Sequence, residues 1–212
     1  MSEHSDTTVI LANGAFPMAP QPLSILHDAA RVICCDGAAL PYLQSGGVPT
    51  AVIGDLDSMP DELKERLGTL IVHVTEQETN DLNKAFRYCM EKGWTSIVIL
   101  GATGRREDHT LGNISLLGDF ARQCPGIRMV TDDGEFTVMM RSGVCASRPG
   151  MQVSLFALDA DTPLYSDGLR FPMAGLAPKR WWQATLNESL GESFRLSFPE
   201  GRTVLVYRSF SH

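Results

Sequence analysis

Five short apolar runs in the first two-thirds of the chain constrain its fold more than any other feature. They cover residues 8–12, 31–35, 50–53, 69–74 and 96–100. Helical patterns cover residues 60–67, 81–92 and 108–123. The apolar runs are continuous rather than alternating, which is typical of strands in a parallel sheet that is covered on both faces. We therefore predict an α/β domain built on a three-layer, Rossmann-like parallel sheet.

The sequence pattern changes beyond residue 130. Strand-like segments cover residues 135–140, 152–157, 193–198 and 203–208, and no helical pattern of useful length lies among them. The turn residues Pro199-Glu200-Gly201 predict a hairpin between the last two strands. We therefore predict an α/β domain over residues 1–132 and an all-β sandwich domain over residues 133–212.

Composition excludes several classes of protein. The chain has 18 Lys and Arg residues against 25 Asp and Glu residues, which gives a net charge of −7 and argues against nucleic-acid or anionic-membrane partners. Its apolar runs are far shorter than the roughly 20 residues of a transmembrane helix, and residues 1–8 lack the pattern of a secretory signal. The five cysteines, at positions 34, 35, 89, 124 and 145, are odd in number and contain no CxxC pair. We expect reduced thiols and a cytoplasmic protein.

Acidic residues follow several of the predicted strands. The carboxyl ends of parallel strands are where ligands of such sheets bind. Asp55 and Asp57 are two residues apart in what we expect to be extended chain, so their side chains can point the same way. With Asp81 they would form a hard-oxygen site for Mg²⁺ that also holds phosphate oxygens. The alternative is that Asp55-Leu56-Asp57-Ser58 and Asp81 are only turn and helix-cap residues.

Residues 101–109 follow the fifth predicted strand and lead into a helix. Backbone N–H groups at the helix start, with Arg105 and Arg106 beside them, would form an anion cradle, although the segment is neither a Walker A loop nor a GxGxxG motif. The alternatives are a simple tight turn and, for His109, a cap or surface role. In the second domain, Trp181-Trp182 offers either a stacking surface for a flat cationic ring or ordinary core packing.

In their order and spacing, these motifs resemble those of the thiamine pyrophosphokinase family. The family patterns DGG, GDxDS, TDxxKA and GGxGGRxDH are similar to Asp36-Gly37, residues 54–58, residues 81–85 and residues 101–109. The patterns TxGLKW and TSNE are similar to residues 167–171 and 185–188. The sequence departs from the family at Ala102 and Arg105, which replace glycines, at Asn80, which replaces Thr, and at Leu186, which replaces Ser.

The resemblance implies ATP-dependent transfer of pyrophosphate to the primary hydroxyl of thiamine, which gives thiamine diphosphate and AMP. It implies that the first domain binds ATP and Mg²⁺ and catalyses the reaction, and that the β-sandwich binds thiamine. The vitamin of this family binds between subunits, which implies a homodimer.

The resemblance also implies roles for particular residues. The implied catalytic residues are Asp55, Asp57, Asp81 and Asp108, and the implied metal ligands are Asp55, Asp57 and Asp81. The implied ATP-binding residues are Gly101, Thr103, Gly104, Arg106 and His109. The implied thiamine-binding residues are Asp36, Asp81, Trp181, Thr185 and Asn187.

Three other functions stay open from the residues themselves. A metal-dependent hydrolase of nucleotides or phosphoesters would use the same aspartates and would turn over without thiamine. The same transfer to a pterin-type alcohol would change only the acceptor. A nucleotide-responsive binding protein would bind without turnover.

Overall fold

The structure, a computed structural model, describes residues 6–57 and 59–210 of the chain. Ser58, which belongs to the predicted metal motif, lies outside the described residues. The chain divides into two units, the first ending at Asp132 and the second beginning at Asp133.

The first unit contributes a parallel set of strands. Their bounds are β1 Thr8–Leu11, β2 Arg31–Cys35, β3 Ala51–Gly54, β4 Ile71–His73, β5 Ile97–Leu100 and β6 Arg128–Val130. They lie in the order β6-β5-β1-β2-β3-β4, and each neighbouring pair is parallel. Every residue of β1, β3 and β5 is buried, so both faces of the sheet are covered there. The five predicted strands are confirmed to within two residues, whereas β6 was not predicted.

Six α-helices are assigned in the described part of this unit. Their bounds are α1 Pro20–His27, α2 Ala39–Gln44, α3 Asp61–Leu67, α4 Asp81–Glu91, α5 Glu107–Ser115 and α6 Leu117–Gln123. The helix predicted over residues 108–123 is instead two helices that meet at Leu116. Among the described residues, no helix has the length and apolar character needed to cross a membrane.

The second unit consists of short antiparallel strands. Their bounds are β7 Gly134–Met139, β8 Gly143–Ala146, β9 Gln152–Ala157, β10 Leu164–Asp167, β11 Ala174–Leu176, β12 Asn187–Glu188, β13 Ser193–Ser197 and β14 Val204–Ser209. One antiparallel set has the order β12-β9-β14-β7, and a separate sheet has the order β11-β10-β13-β8. One cluster of buried side chains contains Leu155 and Val206 from the first set and Leu164 and Phe194 from the second. This shared core holds the unit together.

One expectation for the second unit is wrong. The predicted hairpin between the last two strands does not form, because β13 pairs with β8 and β10 whereas β14 pairs with β7 and β9. Residues 198–203 carry the chain from one sheet to the other, so that both strands face the same core. Trp181 and Trp182 belong to a 3₁₀ turn over Trp181–Ala184.

Candidate active site

A cavity of about 420 Å³ opens at the carboxyl ends of β1 and β5. The strand order reverses there, because β2 lies on one side of β1 and β5 lies on the other. Ligands of open parallel sheets bind at such a reversal. All of the described residues that line the cavity belong to the first unit: Ala12, Asn13, Gly14, Cys35, Asp55, Gln77, Thr79, Asn80, Asp81, Leu82, Lys84, Ala102, Thr103, Arg105, Arg106, His109, Thr110 and Asn113.

The loops after β1 and β5 touch each other and form one wall. The Gly14 N–H donates to the Gly101 carbonyl at 2.6 Å, and the Ala15 N–H donates to the Thr103 carbonyl at 2.7 Å. Gly101 has a φ of 64°, and a Cβ placed on it would lie 2.7 Å from the Ala12 carbonyl oxygen. Only glycine fits this position without strain. Of the residues in this loop that were predicted to bind ATP, Thr103 lines the cavity, whereas Gly101 and Gly104 do not.

The acidic wall contains Asp55 and Asp81 but not Asp57. Leu56 has a φ of 62°, so the chain from Asp55 to Asp57 is a turn, and the expectation of extended chain is wrong. The Asp57 N–H donates to Asp55 Oδ1 at 3.2 Å, while the Asp57 side chain is exposed. This backbone hydrogen bond is the main cause of a lowered pKa of Asp55, to which Gln77 also contributes from 3.2 Å.

Lys84 pairs with Asp81 inside the cavity. Asp81 is the first residue of α4 and is half-buried, and burial raises its pKa above the usual value. Lys84 opposes that shift from one helical turn away, with its Nζ 3.4 Å from Asp81 Oδ1 and only 3% of the residue exposed. Lys84 is not among the site residues predicted from the sequence, although the TDxxKA pattern places it three residues after Asp81.

The donor set of the cavity fits a magnesium ion that arrives with a phosphate ligand. No group of three or more His, Cys, Asp or Glu side chains within residues 6–57 and 59–210 is arranged to hold a metal ion. Mg²⁺, however, is usually bound by one or two carboxylates together with phosphate oxygens and water. Asp55 and Asp81 face one cavity and influence each other electrostatically, so they can supply those carboxylates.

The basic wall is formed by Arg105, Arg106 and His109. Arg106 binds Asp108 through two hydrogen bonds, Nε to Oδ1 at 3.1 Å and Nη2 to Oδ2 at 2.6 Å. These bonds, with one from the His109 N–H, lower the pKa of Asp108 to about 2. Asp108 does not line the cavity, and a carboxylate with so low a pKa is a weak proton acceptor. Asp108, which the resemblance implies is catalytic, is bonded to Arg106 in this structure.

Side chains that the sequence did not reveal hold the loop before α4. Glu76 accepts hydrogen bonds from the Thr79 N–H at 2.6 Å and the Thr79 hydroxyl at 2.7 Å, and it also binds Arg87 of α4. Asn80 caps α4 by accepting the Asn83 N–H at 2.9 Å. These contacts fix the segment that carries Gln77, Thr79 and Asn80 into the cavity wall.

An amide chain links that segment to the loop after β5. Asn80 Nδ2 donates to Asn113 Oδ1 at 3.1 Å, and Asn113 Nδ2 donates to the Ala102 carbonyl at 2.9 Å. Asn113 therefore ties the start of α4 to the opposite wall.

The predicted thiamine residues lie in both units. Asp36 is buried in a 3₁₀ turn after β2 and does not line the cavity. In the second unit, the Trp181 ring packs edge-on against Phe156, with 5.7 Å between ring centroids. The Thr185 hydroxyl donates to the Trp182 carbonyl at 2.9 Å.

Asn187, also predicted to bind thiamine, is buried and bonded to backbone. Its Nδ2 donates to the Phe171 carbonyl at 2.7 Å, and its Oδ1 accepts the N–H groups of Phe171 at 3.1 Å and Glu188 at 2.9 Å. These bonds fix Phe171 beside the 181–187 segment.

Comparison with known proteins gives two family matches, in the same order as the two units. The thiamin pyrophosphokinase catalytic-domain model matches residues 23–129, and the thiamin pyrophosphokinase substrate-binding-domain model matches residues 134–207. Together they cover well over half of the chain.

Curated relatives carry the same name. Thiamine pyrophosphokinase of Bacillus subtilis is 32% identical over 115 residues, which are 52% of this chain and 54% of that protein. Thiamin pyrophosphokinase 1 of Caenorhabditis elegans is 29% identical over 175 residues, 73% of this chain and 69% of that protein. Thiamine pyrophosphokinases 3 and 1 of Oryza sativa subsp. japonica are also similar to this chain. In these two proteins and in the Bacillus protein, the matched region spans about half of the relative's length.

Solved structures share the fold over nearly the whole chain. The crystal structure of Bacillus subtilis thiamine pyrophosphokinase has a TM-score of 0.81 at 23% identity and covers 97% of this chain and 100% of its own. The Enterococcus faecalis family member has a TM-score of 0.80 at 18% identity, with 97% and 100% covered.

Proposed function

This chain belongs to the thiamin pyrophosphokinase family, and on that basis we propose that it transfers a pyrophosphoryl group from ATP to the primary hydroxyl of thiamine. The hydroxyl oxygen bonds to the β-phosphorus, the bond from the β-phosphorus to the α–β bridging oxygen breaks, and the hydroxyl proton is released. The products are thiamine diphosphate and AMP.

The first unit would hold the phosphates of ATP. We assign Asp55 and Asp81 to Mg²⁺, which supplies charge neutralisation to the phosphates when bound. Asp57 is exposed beside Asp55, with no side-chain partner among the described residues, and is available as a further ligand. Thr103, Arg106 and His109, which the resemblance implies bind ATP, also line the cavity, and Gly101 and Gly104 shape that loop.

Catalysis of this transfer needs position and charge more than covalent chemistry. The transferring group has its charge spread over its outer oxygens, so aligned cations and a fixed acceptor lower the barrier. Lys84, buried beside Asp81, adds a positive charge to the cavity. We assign Asp108 to holding Arg106 rather than to taking the hydroxyl proton, because both of its carboxylate oxygens are bonded to Arg106 and it does not line the cavity.

The second unit would contribute to thiamine binding. Thiamine carries a cationic ring, which suits an aromatic face such as that of Trp181 and an acidic neighbourhood such as Asp36 and Asp81. We assign Asn187 to fixing Phe171 and the Trp181–Asn187 segment, since its amide is bonded to backbone. Thr185 would help to fix the same segment through the hydrogen bond from its hydroxyl to the Trp182 carbonyl.

We also propose the finer features of the fold and assembly. The reversal of strand order supports a Rossmann-like description of the first unit, and the shared core supports a β-sandwich for the second. Large exposed apolar side chains in the second unit support a homodimer. They are Val144, Tyr165, Phe171, Leu176, Trp181, Trp182, Leu186 and Leu190. Light scattering should give twice the mass of 23.2 kDa. The reduced, mostly buried cysteines support a cytoplasmic location.

The observation that carries the proposal is one cavity lined both by the carboxylates of Asp55 and Asp81 and by the guanidinium groups of Arg105 and Arg106. The test is to incubate the protein with ATP and Mg²⁺, with and without thiamine, and to identify the products. We expect AMP and thiamine diphosphate in equal amounts, and only with thiamine. ADP as the main product, or full turnover without thiamine, would contradict the proposal. A pterin alcohol acting in place of thiamine would contradict only the acceptor.

A further inference from the structure

Arg105 stands where the family pattern has glycine, and it lines the cavity. Its Nη1 donates to Asn13 Oδ1 at 2.9 Å and to the Asn13 carbonyl at 3.3 Å. Asn13 follows β1, so this contact joins the loop after β5 to the loop after β1 at the reversal of strand order. The side chain of Arg105 is therefore anchored at the mouth of the cavity by a neutral residue.

The other Lys and Arg side chains of the cavity, Lys84 and Arg106, are bonded to carboxylates. Lys84 lies 3.4 Å from Asp81, and both Nε and Nη2 of Arg106 are engaged by Asp108. Arg105 makes no salt bridge with any described residue, and its partner Asn13 leaves its charge uncompensated. Of these three cations, Arg105 is the one that has no carboxylate partner among the described residues, so all of its positive charge is available to an anion.

We propose that Arg105, held by Asn13, is the principal arginine that binds the polyphosphate of the nucleotide, in place of Arg106. The naming of a nucleotide as the ligand rests on the proposed function. A guanidinium presents parallel N–H donors that match phosphate oxygens, and such charge-assisted bonds are stronger than neutral ones. Arg106 acts instead through its pair with Asp108, at the start of α5.

If Arg105 binds the polyphosphate, the two arginines should differ in their effect on nucleotide affinity. A general loss of positive charge would instead predict similar effects for both. Removing Arg105 should weaken nucleotide binding and leave thiamine binding unchanged, whereas removing Arg106 should change nucleotide binding little. Removing the Asn13 side chain should weaken nucleotide binding only while Arg105 is present, because Asn13 acts by orienting the guanidinium.

The test is calorimetric titration of the full chain with Mg²⁺ and α,β-methylene-ATP, whose α–β bridge is not cleaved in this transfer. Arg105→Gln and Arg106→Gln are matched variants that remove charge at neighbouring positions. We expect about a tenfold to hundredfold loss of affinity for Arg105→Gln and less than about threefold for Arg106→Gln. Asn13→Ala should give an intermediate loss, and the double variant Asn13→Ala/Arg105→Gln should be no weaker than Arg105→Gln.

A larger loss for Arg106→Gln than for Arg105→Gln would overturn the proposal, as would independent, multiplying effects of Asn13 and Arg105. Thermal unfolding of each variant checks that the fold is kept, and Arg105→Gly, which restores the family residue, should lose affinity like Arg105→Gln. AMP formation by the unaltered chain is measured separately. Its absence would contradict the proposed function, while the binding series would still decide between the two arginines.

Discussion

The motif residues of the two units are used in different ways. In the first unit, Asp55, Asp81 and Thr103 line one cavity and present polar groups to it. In the second unit, the polar groups of Thr185 and Asn187 are bonded to nearby backbone. A family motif can thus mark groups that line a cavity or groups that hold a loop in shape, and the lining of the cavity distinguishes the two.

Each unit contains one leucine with a positive φ, and the two leucines differ in burial. Leu56 and Leu186 are the non-glycine residues with positive φ among the described residues, at 62° and 58°. Leu56 is buried and turns the chain between Asp55 and Asp57, whereas Leu186 is 72% exposed and precedes Asn187. Such backbone costs energy and persists where surrounding contacts impose it. In both units it lies inside a predicted ligand motif.

The largest expected effect is at the carboxylates of the first unit. Asp55→Asn and Asp81→Asn remove the negative charge that would hold Mg²⁺, and we expect each to lower kcat by about a hundredfold or more. The thermal midpoint should change little for Asp55→Asn, whereas Asp81→Asn should also lower it because the buried Lys84 loses its carboxylate partner. Asp61→Asn, at an exposed aspartate on α3, is the matched control and should keep full activity. Normal Mg²⁺-dependent activity in either cavity variant would remove that residue from the site.

Asp57 is exposed and does not line the cavity, so substituting it tests whether it is a further metal ligand. We expect Asp57→Asn to lower kcat by about a hundredfold or more, as Asp55→Asn does, because its exposed carboxylate lies two residues after Asp55 of the metal-binding wall. Steady-state kinetics over a range of Mg²⁺ concentrations measures this. Full activity in Asp57→Asn would restrict the metal ligands to Asp55 and Asp81.

In the second unit we expect an effect on stability rather than on chemistry. Asn187→Ala leaves the backbone groups of Phe171 and Glu188 without their partner and should lower the free energy of unfolding by about 1–3 kcal/mol. Urea unfolding measures this, with Gln152→Ala on the neighbouring strand β9 as an exposed control. If Asn187→Ala lost activity at unchanged stability, the contrast between the two units would fail.

A smaller effect is expected at the tryptophans. Trp181→Ala should weaken thiamine binding by about 1–2 kcal/mol, as measured by quenching of tryptophan fluorescence. Trp182→Ala should weaken it less, because the Trp181 ring is already fixed against Phe156 whereas Trp182 is 70% exposed. Unchanged affinity in both variants would assign the pair to packing.

The smallest effect concerns pH and the loop before α4. Arg87 and Thr79 lower the pKa of Glu76 to about 2 from a usual value of 4.5. A carboxyl with a lowered pKa stabilises the fold above its unfolded-state pKa and loses that contribution as the pH falls toward its folded-state pKa. The stability difference between the unaltered chain and Glu76→Gln should therefore be full at pH 7 and vanish between about pH 4.5 and 2. Urea unfolding at several pH values tests this, and a constant difference would contradict it. Glu78→Gln, at an exposed neighbour, is the control.

Much of the fold could be predicted from the sequence because its main strands are continuous apolar runs of four or more residues. The missed strands β6, β8, β10, β11 and β12 have two to four residues and contain no continuous run of four large apolar residues. The hairpin failed because turn residues indicate a reversal of direction but not which sheet receives the next strand.

The site was predicted where it depends on strand ends and missed where it depends on side-chain pairing. The strand-end rule correctly brought Asp55 and Asp81 toward one cavity. It could not show the Asp108–Arg106 pair, the burial of Lys84 or the link through Asn113, because each depends on rotamers and on contacts between distant segments. A positive φ at Leu56 has no signal in a sequence without glycine there.

The most direct test of the central claim, that the first unit binds the nucleotide and the second adds the vitamin site, is hydrogen–deuterium exchange of the intact protein. Mg²⁺ with α,β-methylene-ATP should slow exchange in residues 12–15, 76–84 and 101–113 and leave residues 181–188 unchanged. Addition of thiamine should then slow exchange in residues 181–188. Protection of residues 181–188 by the nucleotide analogue alone, or no change there with thiamine, would contradict this division.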